Sequence, residues 1–127
     1  MTTSSRFLLA AAIGSAVLLA GCNQAERVPP MEVVNGNPER GAQLIVDYGC
    51  GTCHVIPGIP EANGLVGPPL DHFSRRSFIA GSLRNNAENL QKWISNPQEV
   101  EPGTAMPNLG VTSEEATDIT AYLYTLE

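Results

Sequence analysis

Positive charge, aromatic rings and histidine are all scarce in this chain. Lys and Arg total 7 of 127 residues against 13 Asp and Glu, a formal net charge of −6. Such a balance offers no basic face to a phosphate backbone, which excludes nucleic acid as a partner. Aromatics make up 6% and charged residues 16%, whereas Gly and Pro number 12 and 10. Much of the chain must therefore be turn and loop. A single short domain of this composition builds a thin core and needs a metal, a disulfide or a cofactor to pack around. Long apolar runs are lacking as well. The one candidate, Phe7 to Ala20, has 14 residues, short of the ~20 that cross a bilayer. The chain shows no strand pairs and no internal repeat. It also has no nucleophile–base pair, no Gly-rich phosphate loop and no second metal cluster, which argues against an enzyme.

What is present begins at the N-terminus. Arg6 precedes the apolar run, and the run ends in Leu19-Ala20-Gly21-Cys22. A short apolar stretch after a positive residue is a signal-peptide pattern. Small residues before a Cys resemble the lipobox of bacterial lipoproteins. The resemblance implies cleavage before Cys22, acylation of Cys22 and removal of residues 1–21. Two or three acyl chains anchor stably where one alone is marginal. The mature domain is then expected in the periplasm, attached to a membrane. Loss of Arg6 leaves it one charge more acidic. Residues 22–36 contain Pro29-Pro30 and no helical period, and read as a tether.

The other two cysteines form Cys50-Gly51-Thr52-Cys53-His54. A structural disulfide is acceptable outside the cytoplasm. A thioredoxin-like redox pair would need a βαβ context, which is missing. A Cys-x-x-Cys-His site attaches c-type haem. Two Cys three apart can reach the two vinyl groups on one porphyrin edge, and the adjacent His then points at the iron. With only 2 His in 127 residues, its place directly after Cys53 favours one covalently bound haem c. Such a group also supplies the apolar centre that the composition lacks. For the sixth iron position the candidates are His72, Met31 and Met106, or none. His72 lies in the polar run 71–76, where a lone His is usually solvated.

The remaining pattern is helical. Asn37 can cap a first helix with Pro38 in its first turn, running to about Tyr48. Its apolar positions are Leu44, Ile45 and Tyr48. Residues 55–81 read as irregular. Asn86 can cap a second helix from Ala87 to about Asn96, with Ala87, Leu90, Trp93 and Ile94 inside and a Glu88–Lys92 pair outside. Pro97 should end it. Thr112 and Glu115 form a capping box, stapled by Val111 and Ala116, that opens a last helix. The inner stripe of that helix is Ala116, Ile119, Leu123 and Leu126.

Three stretches now carry a resemblance. They are Gly67-Pro68-Pro69-Leu70, then Asn96-Pro97-Gln98-Glu99-Val100-Glu101-Pro102-Gly103-Thr104-Ala105-Met106, then Ala121-Tyr122-Leu123. With the haem motif they resemble, in order, the mitochondrial-type class I c-type cytochromes over nearly all of residues 36–127. The resemblance implies an all-α fold of three or four helices wrapped around one haem, with residues 37–127 as the cytochrome c domain. It implies Met106 as distal ligand opposite His54, with metal ligation by these two residues. It implies that the Pro68 carbonyl accepts from His54 Nδ1–H. Thr104 and an Arg at 75 or 76 would lie near a haem propionate, and Trp93 beside the Met ligand. Gly41 would let the first helix cross the last one opposite Tyr122 or Leu123.

This chain departs from those relatives by one extra residue between Gly41 and Cys50. It lacks the lysines that they carry around the distal loop, where Gln98, Glu99 and Ala105 stand instead. The expected function is single-electron transfer between respiratory redox proteins: an oxidase, a reductase or a dehydrogenase. The expected partner has a basic or nearly neutral docking face. A ligand-binding haem module and a haem subunit of a larger complex are the competing functions.

Overall fold

The computed structural model describes Val33 and residues 35–127. The expected signal segment, Cys22, Met31 and most of the tether lie outside the described residues.

Among the described residues four α-helices carry the fold: α1 (Pro38–Asp47), α2 (Ala87–Ser95), α3 (Pro97–Val100) and α4 (Ser113–Leu123). Single 3-10 turns at Cys50–Thr52 and Phe73–Arg75 punctuate the long connection between α1 and α2. Each of the three longer helices starts on the cap its sequence predicts. The Asn37 side chain accepts from Arg40 N–H at 2.9 Å, and Asn86 Oδ1 accepts from Asn89 N–H at 2.9 Å. Thr112 Oγ1 accepts from Glu115 N–H at 3.3 Å, while Glu115 Oε2 accepts from Thr112 N–H at 2.9 Å. These bonds satisfy backbone donors that the first helical turn leaves open.

Glu115 Oε2 also receives the Thr112 hydroxyl at 2.7 Å and the Tyr48 hydroxyl at 2.8 Å. The Thr112 hydroxyl and N–H, followed by Tyr48, hold the Glu115 carboxyl below its usual range. The Tyr48 phenol is pushed up by the same bond. A capping residue of α4 is thereby tied to the end of α1.

The two helices cross at Gly41. A Cβ at this position would run into the backbone carbonyl of Asp118. The expected crossing is present, but it falls opposite Asp118–Ile119 rather than Tyr122 or Leu123. The helices therefore meet about one turn earlier along α4. This register buries Asp118, which the periodicity of α4 had placed outside. Asp118 Oδ1 accepts from Asn37 N–H at 2.8 Å, and Oδ2 lies 3.2 Å from Arg40 Nη1. A carboxylate can be buried because α1 brings both a backbone donor and a cation to it.

Three further expectations are corrected. The region read as irregular contains a short antiparallel hairpin, β1 (Phe78–Ile79) with β2 (Leu83–Arg84). Strands of two residues are too short to show alternation. Their turn runs through Ala80 and Gly81, both at positive φ (48° and 81°), and Ala is no turn signal. Lys92 reaches Glu99 Oε1 at 3.9 Å instead of pairing with Glu88. Pro97 ends α2 as expected but also opens α3, since a proline fits the first turn of a new helix.

Asn85 fastens the hairpin to the rest. Its Nδ2 donates to Phe73 O at 2.9 Å and Arg76 O at 3.0 Å, and its Oδ1 accepts from Tyr124 O–H at 3.0 Å. Tyr124 is 1% exposed, and burial pushes its phenol up to about 12. Tyr122 O–H donates to Pro57 O at 2.7 Å and pins the loop after the cysteine motif to α4.

Candidate haem-binding site

The helices and the long connection enclose an apolar cavity of about 430 Å³. Ile45 of α1, Leu90 and Ile94 of α2, and Ile119 and Leu123 of α4 supply its buried floor. Eight of the residues that the sequence marks for the site line it. These are Cys50, Cys53, His54, Pro68, Arg76, Trp93, Thr104 and Met106. They come from five separate stretches of chain, which only the fold brings together. His72 does not line it, and its side chain is 65% exposed.

The cysteine motif leaves α1 through Tyr48 and Gly49 and turns once in 3-10 form. Cys50 O accepts from both Cys53 N–H at 3.2 Å and His54 N–H at 3.0 Å. Both cysteines are free thiols, the form that thioether attachment requires, so the disulfide reading does not hold here. Burial pushes the Cys50 thiol up.

His54 Nδ1 lies 2.7 Å from Pro68 O. A carbonyl can only accept, so Nδ1 carries the proton and the Nε2 lone pair stays available to a metal. Gly67 makes this contact possible. A Cβ there would clash with the imidazole ring of His54, and Gly67 N–H donates to Cys53 O at 2.8 Å. Glycine alone lets the chain pass this close to the ring.

Arg76 and Arg75 are separated by the fold. Arg76 lines the cavity, and Arg75 is exposed outside it. The Arg76 guanidinium lies over the Phe73 ring at 5.1 Å. Its Nη2 donates to Pro69 O and to Asp71 O, so it also braces the loop behind His54. Trp93 is half-buried against the core and meets the same cavity. Thr104 and Met106 enter from the loop between α3 and α4. One residue of consequence was read from the sequence only as a surface position. Gln98 donates from Nε2 to both Thr104 O and Met106 O, each at 2.8 Å.

The donor set decides what fits. Among the described residues no cluster of three or more His, Cys, Asp or Glu side chains is placed to hold a metal ion. The cavity offers one imidazole and one thioether inside an apolar wall. A planar macrocycle that brings its own four equatorial donors suits this wall, with the two thiols beside it for attachment.

These features define a small helical haem-binding domain with one cysteine pair. Residues 38–127 match the sequence profile of the Cytochrome c family, and the chain belongs to that family. Membership implies haem c, covalently attached, with Cys50 and Cys53 as the pair that holds it. The chain is similar to cytochrome c oxidase subunit 2 of Alkalihalophilus pseudofirmus, 38% identical over 89 residues, 69% of this chain and 25% of that protein. It is 32% identical over 99 residues to the same subunit of Bacillus sp. strain PS3, 75% of this chain and 28% of the relative. The subunit 2 of Bacillus subtilis is 30% identical over 70 residues, 54% and 20% of the two chains. The chain thus spans about a quarter of the length of these relatives.

Proposed function

We propose that this chain is a monohaem electron carrier whose iron is held by His54 and Met106 and which serves a respiratory redox partner. The observation that carries the reading is His54: its Nδ1 is committed to Pro68 O, and its Nε2 is free in a cavity that Met106 also lines. Haem c, when bound, supplies one-electron exchange at iron. The protein's part is to orient the imidazole, keep water out with its apolar wall, and offer a soft thioether that favours the ferrous state. Thr104 and Arg76 line the same cavity, which supports a propionate-binding role for both, and Arg76 donates to Pro69 O and Asp71 O. Were His54 and Met106 both to hold the iron, they would leave it no open position for a substrate.

The similarity to cytochrome c oxidase subunit 2 supports a terminal oxidase as the partner. Glu99 and Glu101 are exposed beside the distal loop, which suits a basic or nearly neutral docking face. Among the described residues no helix is long and apolar enough to cross a membrane. The lipobox-like Leu19-Ala20-Gly21-Cys22 supports a lipid anchor in the periplasm instead, and release of a Cys22→Ser variant into the soluble fraction tests that. The test of ligation is Met106→Ala. It should abolish the weak long-wavelength sulfur-to-iron charge-transfer band and lower the midpoint potential by more than ~60 mV, the equivalent of a tenfold loss of ferrous preference. An unchanged spectrum and potential would remove Met106 from the iron.

A further inference from the structure

The loop that carries Met106 runs from α3 to α4 with little of its own to hold it. Between Glu101 and Gly110 its backbone closes one hydrogen bond on itself, from Thr104 N–H to Glu101 O at 3.1 Å. The side chain of Gln98 supplies the rest. Its Nε2 donates to Thr104 O and to Met106 O, each at 2.8 Å, and its Oε1 accepts from Gly103 N–H at 3.2 Å. Its backbone N–H donates to Asn108 Oδ1 at 3.2 Å. Among the described residues the bond from Gln98 is the only hydrogen bond that Met106 makes.

The chemistry of this position is narrow. A carboxamide has two N–H donors and one carbonyl, and all three groups are used. A glutamate here would set acceptors against two carbonyls, and a lysine would leave Gly103 N–H without its acceptor. Gln98 is itself well seated. It follows Pro97, which is fully buried, on a helix whose first turn is tied by Asn96 Nδ2 to Glu99 Oε2 at 2.7 Å. The place of the Met106 backbone is therefore passed from a buried proline through one amide side chain.

We propose that Gln98 is a positioning residue that sets how firmly Met106 is held at the iron; the proposal rests on the reading of Met106 as the distal ligand. A thioether is a weak, neutral donor, so its occupancy of the metal depends on a loop already ordered around it. A brace on the carbonyl of Met106 itself restrains the sulfur most directly.

The experiment uses the full-length holoprotein with four variants: Gln98→Met, Gln98→Glu, Met106→Ala and the exposed Glu88→Gln. Three quantities are read: the affinity of the ferric protein for imidazole, which must displace the thioether; the sulfur-to-iron charge-transfer band; and hydrogen exchange of the Gly103 amide. Gln98→Met keeps the length of the side chain and removes its hydrogen bonds. It should raise imidazole affinity by about tenfold or more, the scale of two or three lost hydrogen bonds. It should also weaken the band and speed Gly103 exchange, while Glu88→Gln moves none of the three. If Gln98→Met fails to hold haem, Gln98→Glu decides by the same readings. Faster Gly103 exchange with unchanged imidazole affinity and band would overturn the proposal. A wild-type protein without the band, in which Met106→Ala is also silent, would overturn the distal-ligand reading and the proposal with it.

Discussion

Gly41 of α1 lies against the Asp118–Ile119 backbone of α4 with no room for a Cβ, whereas Met106 rides on a loop whose backbone closes a single hydrogen bond on itself. At the crossing, the Tyr48–Glu115 bond and the buried Asp118 both fasten the same two helices. In the distal loop, one glutamine carries the load. Stability is concentrated away from Met106, the proposed iron ligand, as expected where a functional loop is set on a rigid scaffold. A change at the crossing should therefore reach the whole domain, and a change in the loop should reach the metal first.

Gly41→Val should have the largest effect. The new side chain meets backbone rather than a flexible neighbour, and overpacking of this kind costs about 3 kcal/mol or more. Urea unfolding followed by circular dichroism measures it. A loss below ~1 kcal/mol would mean that the crossing can yield, and that it is no more rigid than the loop.

Tyr124→Phe should have an intermediate effect, on the scaffold side. It removes the donor to Asn85 Oδ1 and should cost about 1 kcal/mol at neutral pH. The pH dependence follows from burial. The folded phenol titrates near 12 against an ordinary 10.0. Its contribution is therefore complete below about pH 10 and is lost as pH rises toward 12. The wild-type protein should lose stability through that window, and the phenylalanine variant should lose less. Parallel pH curves for the two proteins would contradict the assignment.

Glu99→Lys with Glu101→Lys should have the smallest effect on the fold, although it also removes the exposed carboxylate that Asn96 Nδ2 and Lys92 meet at Glu99. Both carboxylates are exposed, so unfolding should shift by less than ~1 kcal/mol. Electron transfer to a partner with a basic face should slow at low salt. The difference should fade as salt is added, because exposed charges are screened within ~8 Å at physiological ionic strength. A faster reaction after charge reversal would rule out a basic docking face.

Much of the site was legible in the sequence because its chemistry is written in adjacent residues. Cys50, Cys53 and His54 need only their spacing, and the caps at Asn37, Asn86 and Thr112 act within four residues of themselves. The β1–β2 hairpin was not legible, since two-residue strands carry no period and Ala80 occupies a turn position that favours glycine. The burial of Asp118 was not legible either. On the helical wheel of α4 it belongs outside, and only the Asn37 N–H and Arg40 of a helix some 80 positions earlier make its burial tolerable.

The sequence by itself determined the cofactor class, the covalent attachment points and the starts of the three longer helices. These depend on bonds and hydrogen bonds between near neighbours, which no rearrangement of the fold can alter. Only the tertiary structure decided which face of α4 meets Gly41, which of Arg75 and Arg76 reaches the cavity, and what Gln98 is for. Those outcomes depend on which distant backbone comes within reach of a short side chain. That distance is set by how the helices pack, and a linear spacing does not contain it.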